Sequence, residues 1–265
     1  MTVKLIATDM DGTFLNSQGD YNRPRFARDY VALQQQGIQF VIASGHQAVE
    51  LATFFKDYPA LWLIGGNGAE LMQSQAGLTA ATFSPAATQQ ILQVLAAYPE
   101  IQLALCGTRT VHVLKNADVD FLAAMAAYYA DLERVTDLQT VTDPVVKFDI
   151  ICPPARTDQL VYELTPKLAG LAVPASGGQG SLDLIQPGLH KGRALRLLGE
   201  QLGISPAEMV AFGDGTNDLE MLRYVHTGVV MGNAPVELQS QGDAIAKCNT
   251  EDGVLTYIEN EILRK

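Results

Sequence analysis

One feature constrains this chain more than any other: short apolar runs that each stop at a polar turn residue and are followed by a segment with helical spacing. Runs 3–8, 38–43, 61–64, 209–212 and 229–231 have this form. They end at Asp9, Ser44, Gly65, Gly213-Asp214 and Gly232-Asn233 respectively. Runs this brief suit strands, and their continuous apolar character suits strands covered on both faces. Asn22 can cap a following helix that has Pro24 in its first turn, stops at Gly37 and aligns Phe26, Tyr30 and Leu33. A second helix runs from Ser44-Gly45 to about residue 57, and a third, residues 190–202, aligns Leu195, Leu198 and Leu202. Strand and helix in alternation predict a parallel sheet with helices over its faces.

Between residues 84 and 188 the texture changes. Helical segments at 85–98, 119–129 and 157–169 are mixed with strands at 101–105, 110–114, 145–151 and 181–185. This is an α+β pattern with antiparallel strands, and the alternating pattern resumes after it. The expected organisation is a core of residues 1–83 and 189–265 with an inserted domain at 84–188.

Composition removes several classes of function. Hydrophobic residues are 48% of the chain and charged residues only 18%, so a full core is available and disorder is not expected. The net charge of −11 lacks the basic footprint that nucleic acid requires. Cys106, Cys152 and Cys248 are far apart and odd in number, which disfavours a disulfide framework or a structural zinc site and suits a reducing compartment. No signal-like core opens the chain, and no apolar run approaches the roughly 20 residues that span a bilayer. A cytoplasmic protein without membrane or nucleic-acid partners is expected.

In an open α/β sheet, ligands bind beyond the carboxyl ends of the strands. Asp9, Ser44 and Asp214 each follow a strand directly, so one crevice would receive two carboxylates and a hydroxyl. Each alone would pass for an ordinary turn or cap residue; their joint appearance does not. Asp9-Met10-Asp11-Gly12-Thr13 has two carboxylates one residue apart, a pattern suited to a hard divalent cation. A calcium loop begins similarly but needs a terminal Glu about 11 residues on and a helix before it; here Asp20 holds that position and a strand precedes. Gly213-Asp214-Gly215-Thr216-Asn217-Asp218 follows another strand. Asp214 would share the cation of Asp9, Asp218 would hold a metal-bound water or orient a cation, and Asn217 would reach a substrate oxygen.

Those two segments, with Ser44 and Lys191, resemble the four ordered motifs of the haloacid-dehalogenase phosphatase superfamily. The position of the insert resembles the Cof-type subfamily. Residues 3–16, Tyr21-Asn22-Arg23-Pro24-Arg25-Phe26 and the stretch from Asp183-Leu184-Ile185 to His190-Lys191 look like bacterial sugar phosphatases of the SupH type. The resemblance implies a Rossmann-like α/β core with an inserted α+β cap of the C2B type, and Mg²⁺-dependent hydrolysis of small phosphorylated metabolites: hexose or pentose phosphates, and flavin mononucleotide as a further candidate. It implies Asp9 as nucleophile and Asp11 as general acid and base. The cation would be held by Asp9, by Asp214 and by the Asp11 main-chain carbonyl. Ser44, Gly45, Lys191 and Asn217 would bind phosphate, Lys191 neutralising charge during transfer. Gly12, Thr13 and Asp218 would support the site.

Two positions depart from the family pattern. His46 stands where many relatives carry Arg and SupH-like ones Asn; it would bind phosphate or leaving group, or cap the helix. Gly66-Asn67-Gly68-Ala69 resembles a family loop usually preceded by Glu, with Asn67 as a candidate substrate contact. His190 is expected to pack or cap. Substrate selection is expected from the cap, with Cys106-Gly107, residues 147–149 and residues 176–180 as candidates. For Lys147 and Asp149 the competing reading is a charge pair on the surface of a strand. The alternatives to a phosphatase are a sugar phosphomutase of the same superfamily and a receiver-like switch phosphorylated on Asp9. The expected assembly is a monomer or a small homo-oligomer.

Overall fold

The computed structural model describes residues 2–73, 77–129, 131–178 and 180–263. In chain order the strands are β1 (Leu5–Thr8), β2 (Gln39–Ala43), β3 (Trp62–Gly65), β4 (Glu70–Gln73), β5 (Gly77–Ala80), β6 (Gln102–Gly107), β7 (Val111–Leu114), β8 (Leu132–Val135), β9 (Val145–Ile151), β10 (Val173–Gly178), β11 (Ser181–Ile185), β12 (Met209–Gly213), β13 (Thr227–Val230) and β14 (Ala244–Ile245). The helices used below are α1 (Arg23–Gln35), α2 (Ala48–Phe54), α3 (Pro85–Leu95), α4 (Val119–Tyr128), α5 (Thr157–Lys167), α6 (Lys191–Leu202) and α7 (Leu219–Tyr224). The chain divides into two compact units, Met1–Thr79 with His190–Lys265, and Ala80–Leu189.

The first unit is built on a sheet of order β14-β13-β12-β1-β2-β3-β4-β5. From β14 to β3 the strands are parallel, and β4 turns back antiparallel on β3. β1 lies centrally, and all four of its residues are buried. On one face Ile6, Phe40, Ile42 and Phe212 pack with Phe26 and Leu33 of α1 and Leu51 of α2. On the other, Leu5, Ala7, Val41 and Ala211 pack with Leu195 and Leu198 of α6 and Met221 of α7. Burial on both faces is the physical reason these strands read as unbroken apolar runs. The parallel register sets Thr8 opposite both Ile42 and Phe212, so β1, β2 and β12 end side by side. Asp9, Ser44 and Asp214 follow those three ends.

The helix after β1 forms as its sequence predicts. Asn22 caps α1 by accepting from the Arg25 N–H at 3.3 Å. Phe26, Tyr30 and Leu33 are buried. Arg25 ties α1 to the C-terminal segment, donating to Glu259 at 2.5 Å and to Asp252 at 3.1 Å.

The second unit has a six-stranded sheet of order β10-β11-β9-β6-β7-β8, antiparallel except for the β7–β8 pair. Leu105, Phe148, Ile150, Leu182 and Leu184 face Ile91 and Leu92 of α3 and Leu160 and Leu164 of α5. Ala104, Cys106, Val111 and Val113 face Phe121, Leu122 and Met125 of α4. The parallel sheet and the α+β insert are those expected. Strands β4, β5, β8, β10 and β14 were not anticipated, because the first four lack a continuous apolar run and β14 is only two residues long. Among the described residues, no helix is long and apolar enough to cross a membrane.

Candidate active site

The strand ends bring together a buried knot of charge. Asp9, Asp214 and Asp218 offer carboxylate oxygens that all lie within 4.8 Å of one another. Lys191, at the first position of α6, reaches into the same place and donates to Asp9 Oδ1 at 2.5 Å and to Asp218 Oδ1 at 2.7 Å. Lys191 and Asp218 are both fully buried. A lysine at a helix start could have been a solvated one; here it is the ammonium of the cluster.

Asp218 organises the turn around it. Its Oδ2 accepts from the backbone N–H groups of Asp214 at 3.1 Å and Gly215 at 3.0 Å. Thr13 donates its hydroxyl to Asp214 Oδ1 at 2.7 Å, so it holds a site carboxylate directly rather than only shaping its own turn. Gly12 is required by two constraints. Its φ is +75°, and a Cβ there would stand 2.3 Å from Asp214 Oδ2. Asn233, in the turn that follows β13, donates to the Gly12 carbonyl at 2.8 Å and steadies the Gly12 turn.

Three carboxylates and one ammonium leave an excess of negative charge in a buried place. Burial and the neighbouring Asp218 raise the Asp9 pKa to about 8 against the pull of Lys191. Burial and Asp218 also raise Asp214, opposed by the Thr13 hydrogen bond. For Lys191 burial opposes the charged form, but Asp218 and Asp9 outweigh it and hold the amine protonated.

The donor set suits a hard divalent cation, which takes oxygen ligands. Asp218 has both oxygens engaged, and Asp9 and Asp214 each have one. Among the described residues, Asp9 Oδ2 and Asp214 Oδ2 take part in no hydrogen bond, so one carboxylate oxygen of each is spare. A cation bound by these residues would offset the excess charge that pushes the Asp9 pKa up.

Asp11 belongs to a different cluster. Its side chain is 65% exposed, and its Oδ2 lies 2.8 Å from His46 Nε2. His46 Nδ1 faces Glu50 Oε2 at 3.6 Å. Burial alone would lower the His46 pKa, but the hydrogen bonds to Asp11 and Glu50 raise it to about 9. Burial would raise Asp11, but the bond from His46 and its charge pull the carboxyl below its usual range. His46 does not cap the helix. The α2 N-cap is Gln47, which forms a capping box with Glu50, and the imidazole is held between two carboxylates. Glu50 was missed in the sequence, although its i+4 spacing from His46 was the available signal.

The remaining candidates line the same strand ends. Ser44 is buried, and its Oγ accepts from the His46 N–H at 3.2 Å. A Cβ on Gly45 would stand 3.4 Å from Asn67 Nδ2, so the Asn67 amide lies close against that backbone. Asn67 is buried and accepts from Asn217 Nδ2 at 3.2 Å, which joins two candidate substrate contacts in one pair. Glu70, also missed, is buried and accepts from the Ala48 N–H at the start of α2. His190 caps α6 by accepting from the Arg193 N–H at 3.1 Å.

In the second unit, Lys147 and Asp149 are not a surface pair, because both are buried. Lys147 donates to Asp183 at 3.0 Å, and Tyr129 donates its hydroxyl to Asp149 at 2.7 Å. Asp149 and Asp183 are direct cross-strand partners of β9 and β11, and Cys106 is opposite Lys147 on β6. Burial opposes the Lys147 charge, but Asp183 and Asp149 outweigh it and keep the amine protonated. Burial pushes the Cys106 thiol up, so it is not a ready nucleophile. Of the 176–180 candidates, Gln179 lies outside the described residues.

Comparison with known proteins gives a consistent picture. A family model described as haloacid dehalogenase-like hydrolase matches residues 6–258. An Escherichia coli K12 protein named 5-amino-6-(5-phospho-D-ribitylamino)uracil phosphatase YbjI is 35% identical over 260 residues, covering 98% of this chain and 96% of that one. A Cronobacter sakazakii protein named HMP-PP phosphatase is 29% identical over 246 residues, covering 90% and 87%. The crystal structure of SMU.1108c from Streptococcus mutans UA159 superposes with a TM-score of 0.93 at 32% identity, covering 99% and 100% of the two chains.

Proposed function

The chain belongs to the haloacid dehalogenase-like hydrolase family, and from that premise we propose that it hydrolyses small phosphate monoesters through an aspartyl-phosphate on Asp9. One observation carries this reading. Two carboxylates one residue apart have opposite surroundings: Asp9 is buried beside Lys191 and two acids, while Asp11 is exposed and bonded to His46. A carboxylate beside an ammonium and at a candidate cation site suits a nucleophile, and an exposed one outside that cluster suits a proton carrier.

In this reading a carboxylate oxygen of Asp9 attacks phosphorus and the ester oxygen leaves with a proton from Asp11. A water then gives its proton back to Asp11 as it attacks the aspartyl-phosphate, and inorganic phosphate departs. The His46 hydrogen bond favours the ionised form of Asp11, which is the form that takes the water's proton in the second step. For the first, the His46 imidazolium, 2.8 Å away, keeps a proton within reach of the carboxylate. Lys191 and the Ser44 hydroxyl bind the phosphoryl oxygens, and the Asn67–Asn217 pair supplies further amide contacts. Asp9 and Asp214, with the Asp11 main-chain carbonyl, would hold Mg²⁺. When bound, that ion neutralises charge on the nucleophile and on the phosphoryl group.

The expected substrates carry phosphate on a sugar or polyol. The E. coli relative is named for a ribityl phosphate, which supports that class. The test is phosphate release from a panel of sugar and polyol phosphates, with Mg²⁺ or EDTA, beside Asp9→Asn. Loss of release in EDTA and in the variant supports the reading. Equal release in either, or isomerisation of the substrate without net phosphate release, overturns it.

A further inference from the structure

The Asp11 carboxylate lies mostly in the open, where a flexible side chain has many rotamers and a proton carrier needs one. Among the described residues, His46 is the one side chain that hydrogen-bonds to it. His46 is itself set from three sides. Its backbone N–H donates to Ser44 Oγ at 3.2 Å, its carbonyl accepts from the Gly66 N–H at 2.8 Å, and its ring lies between Asp11 and Glu50. Glu50 is fixed in turn, because its Oε2 accepts from the Gln47 N–H at 3.1 Å at the start of α2. Among the described residues, the buried Glu50 Oε1 has no hydrogen-bond partner. An underserved buried carboxylate is costly, and a nearby imidazole offsets that cost. The chain Asp11–His46–Glu50 therefore runs from an exposed carboxylate back to a helix start.

Resting on the phosphatase reading above, we propose that His46, braced by Glu50, is a positioning residue that holds the Asp11 carboxylate toward the ester oxygen. It is thus a determinant of how well the enzyme expels poor leaving groups. His46 does not bind phosphate in this arrangement, because Nε2 faces Asp11 and Nδ1 faces Glu50. Proton transfer by a placed side chain contributes roughly 10²–10⁴-fold, so loosening Asp11 forfeits part of that factor. The loss falls on esters whose leaving oxygen needs a proton. An aryl phosphate with an acidic phenol needs little help.

The test compares kcat/KM for a sugar phosphate and for p-nitrophenyl phosphate in wild type, His46→Ala, His46→Gln and Glu50→Gln. This ratio reports the steps up to loss of the leaving group. His46→Ala is expected to lower kcat/KM for the sugar phosphate about 10–100-fold and to lower it for the aryl phosphate at least tenfold less, mainly through kcat. His46→Gln, which keeps an amide donor, should recover part of the loss and also serves if the alanine variant does not fold. Glu50→Gln should show the same selectivity on a smaller scale. Equal losses on both esters, or a change confined to KM, would overturn the proposal, since those are the signatures of a structural or phosphate-binding role. Asp9→Asn separates the two levels: if it still turns over either ester, the underlying reading has failed. If it does not and the His46 variants are unselective, only this inference has.

Discussion

The charge excess at the strand ends makes an uncommon expectation about Asp9→Asn. Deleting a buried, hydrogen-bonded carboxylate ordinarily destabilises a protein; in the metal-free form of this one it should stabilise. The folded-state pKa of Asp9 is about 8, raised from 3.8. Below about pH 4 the carboxyl is protonated in both folded and unfolded chains and the substitution has little effect. Above that the unfolded chain releases its proton while the folded chain retains it. Wild type therefore loses stability as pH rises toward 8, and the asparagine variant does not. Each pH unit in that window is worth about 1.4 kcal/mol, which sets a ceiling of about 4 kcal/mol at neutral pH. Lys191 leans on the same carboxylate, and the asparagine carbonyl can still accept its hydrogen bond. A net gain of about 1–2 kcal/mol is the reasonable expectation, or roughly 2–8 °C in Tm for a chain of this size. The assay is thermal unfolding in EDTA between about pH 5 and pH 7.5. The gap between variant and wild type should widen with pH. Saturating Mg²⁺ should close or reverse it, because ligand binding stabilises the wild-type site. A variant no more stable than wild type at every pH, or a gap that does not grow with pH, would refute the charge-excess reasoning.

Three further outcomes follow from the same geometry. Lys191→Met leaves Asp9 and Asp218 buried without their ammonium, and should lower unfolding free energy by about 3–5 kcal/mol in urea while abolishing turnover; a loss under about 1 kcal/mol would mean the pair is not coupled as described. Gly12→Ala places a methyl against the Asp214 carboxylate in a left-handed backbone position, and should cost about 1–3 kcal/mol and most of the Mg²⁺ affinity read by calorimetry; unchanged affinity would count against Asp214 as a ligand. Lys147→Met leaves Asp149 and Asp183 facing each other across β9 and β11, and should destabilise the protein by several kcal/mol, with Lys147→Met plus Asp183→Asn recovering much of it; no recovery in urea unfolding would refute the pairing.

Much of the core was legible because its physics is local and repetitive. β1, β2, β3 and β12 are buried on both faces, so each had to be an unbroken apolar run, and the residue after such a run marks the sheet end where ligands bind. Asp9, Ser44 and Asp214 could be placed at those sheet ends in this way. The β4–β5 segment was not, because Glu70–Gln73 and Gly77–Ala80 mix polar and apolar residues at a half-covered sheet edge. Side-chain pairings across long sequence separations were equally out of reach. Asp9 and Lys191 are 182 residues apart, and His46 and Asp11 are 35 apart. Periodicity says which face a residue takes, not which partner it finds. Lys147 and Asp149 misled for a related reason: charged residues on a strand suggest solvent, and only the fold places Asp183 and Tyr129 where they can receive them.

Transfer of the phosphoryl group to Asp9 is the central step of the proposed reaction. Rapid acid quench during turnover of a sugar phosphate, borohydride reduction of the trapped acyl phosphate and peptide mass spectrometry would locate it. Reduction at position 9 in wild type, absent from Asp9→Asn and from wild type without substrate, is the expected result. Phosphate release with no modification at position 9, or with the label on another residue, would contradict it.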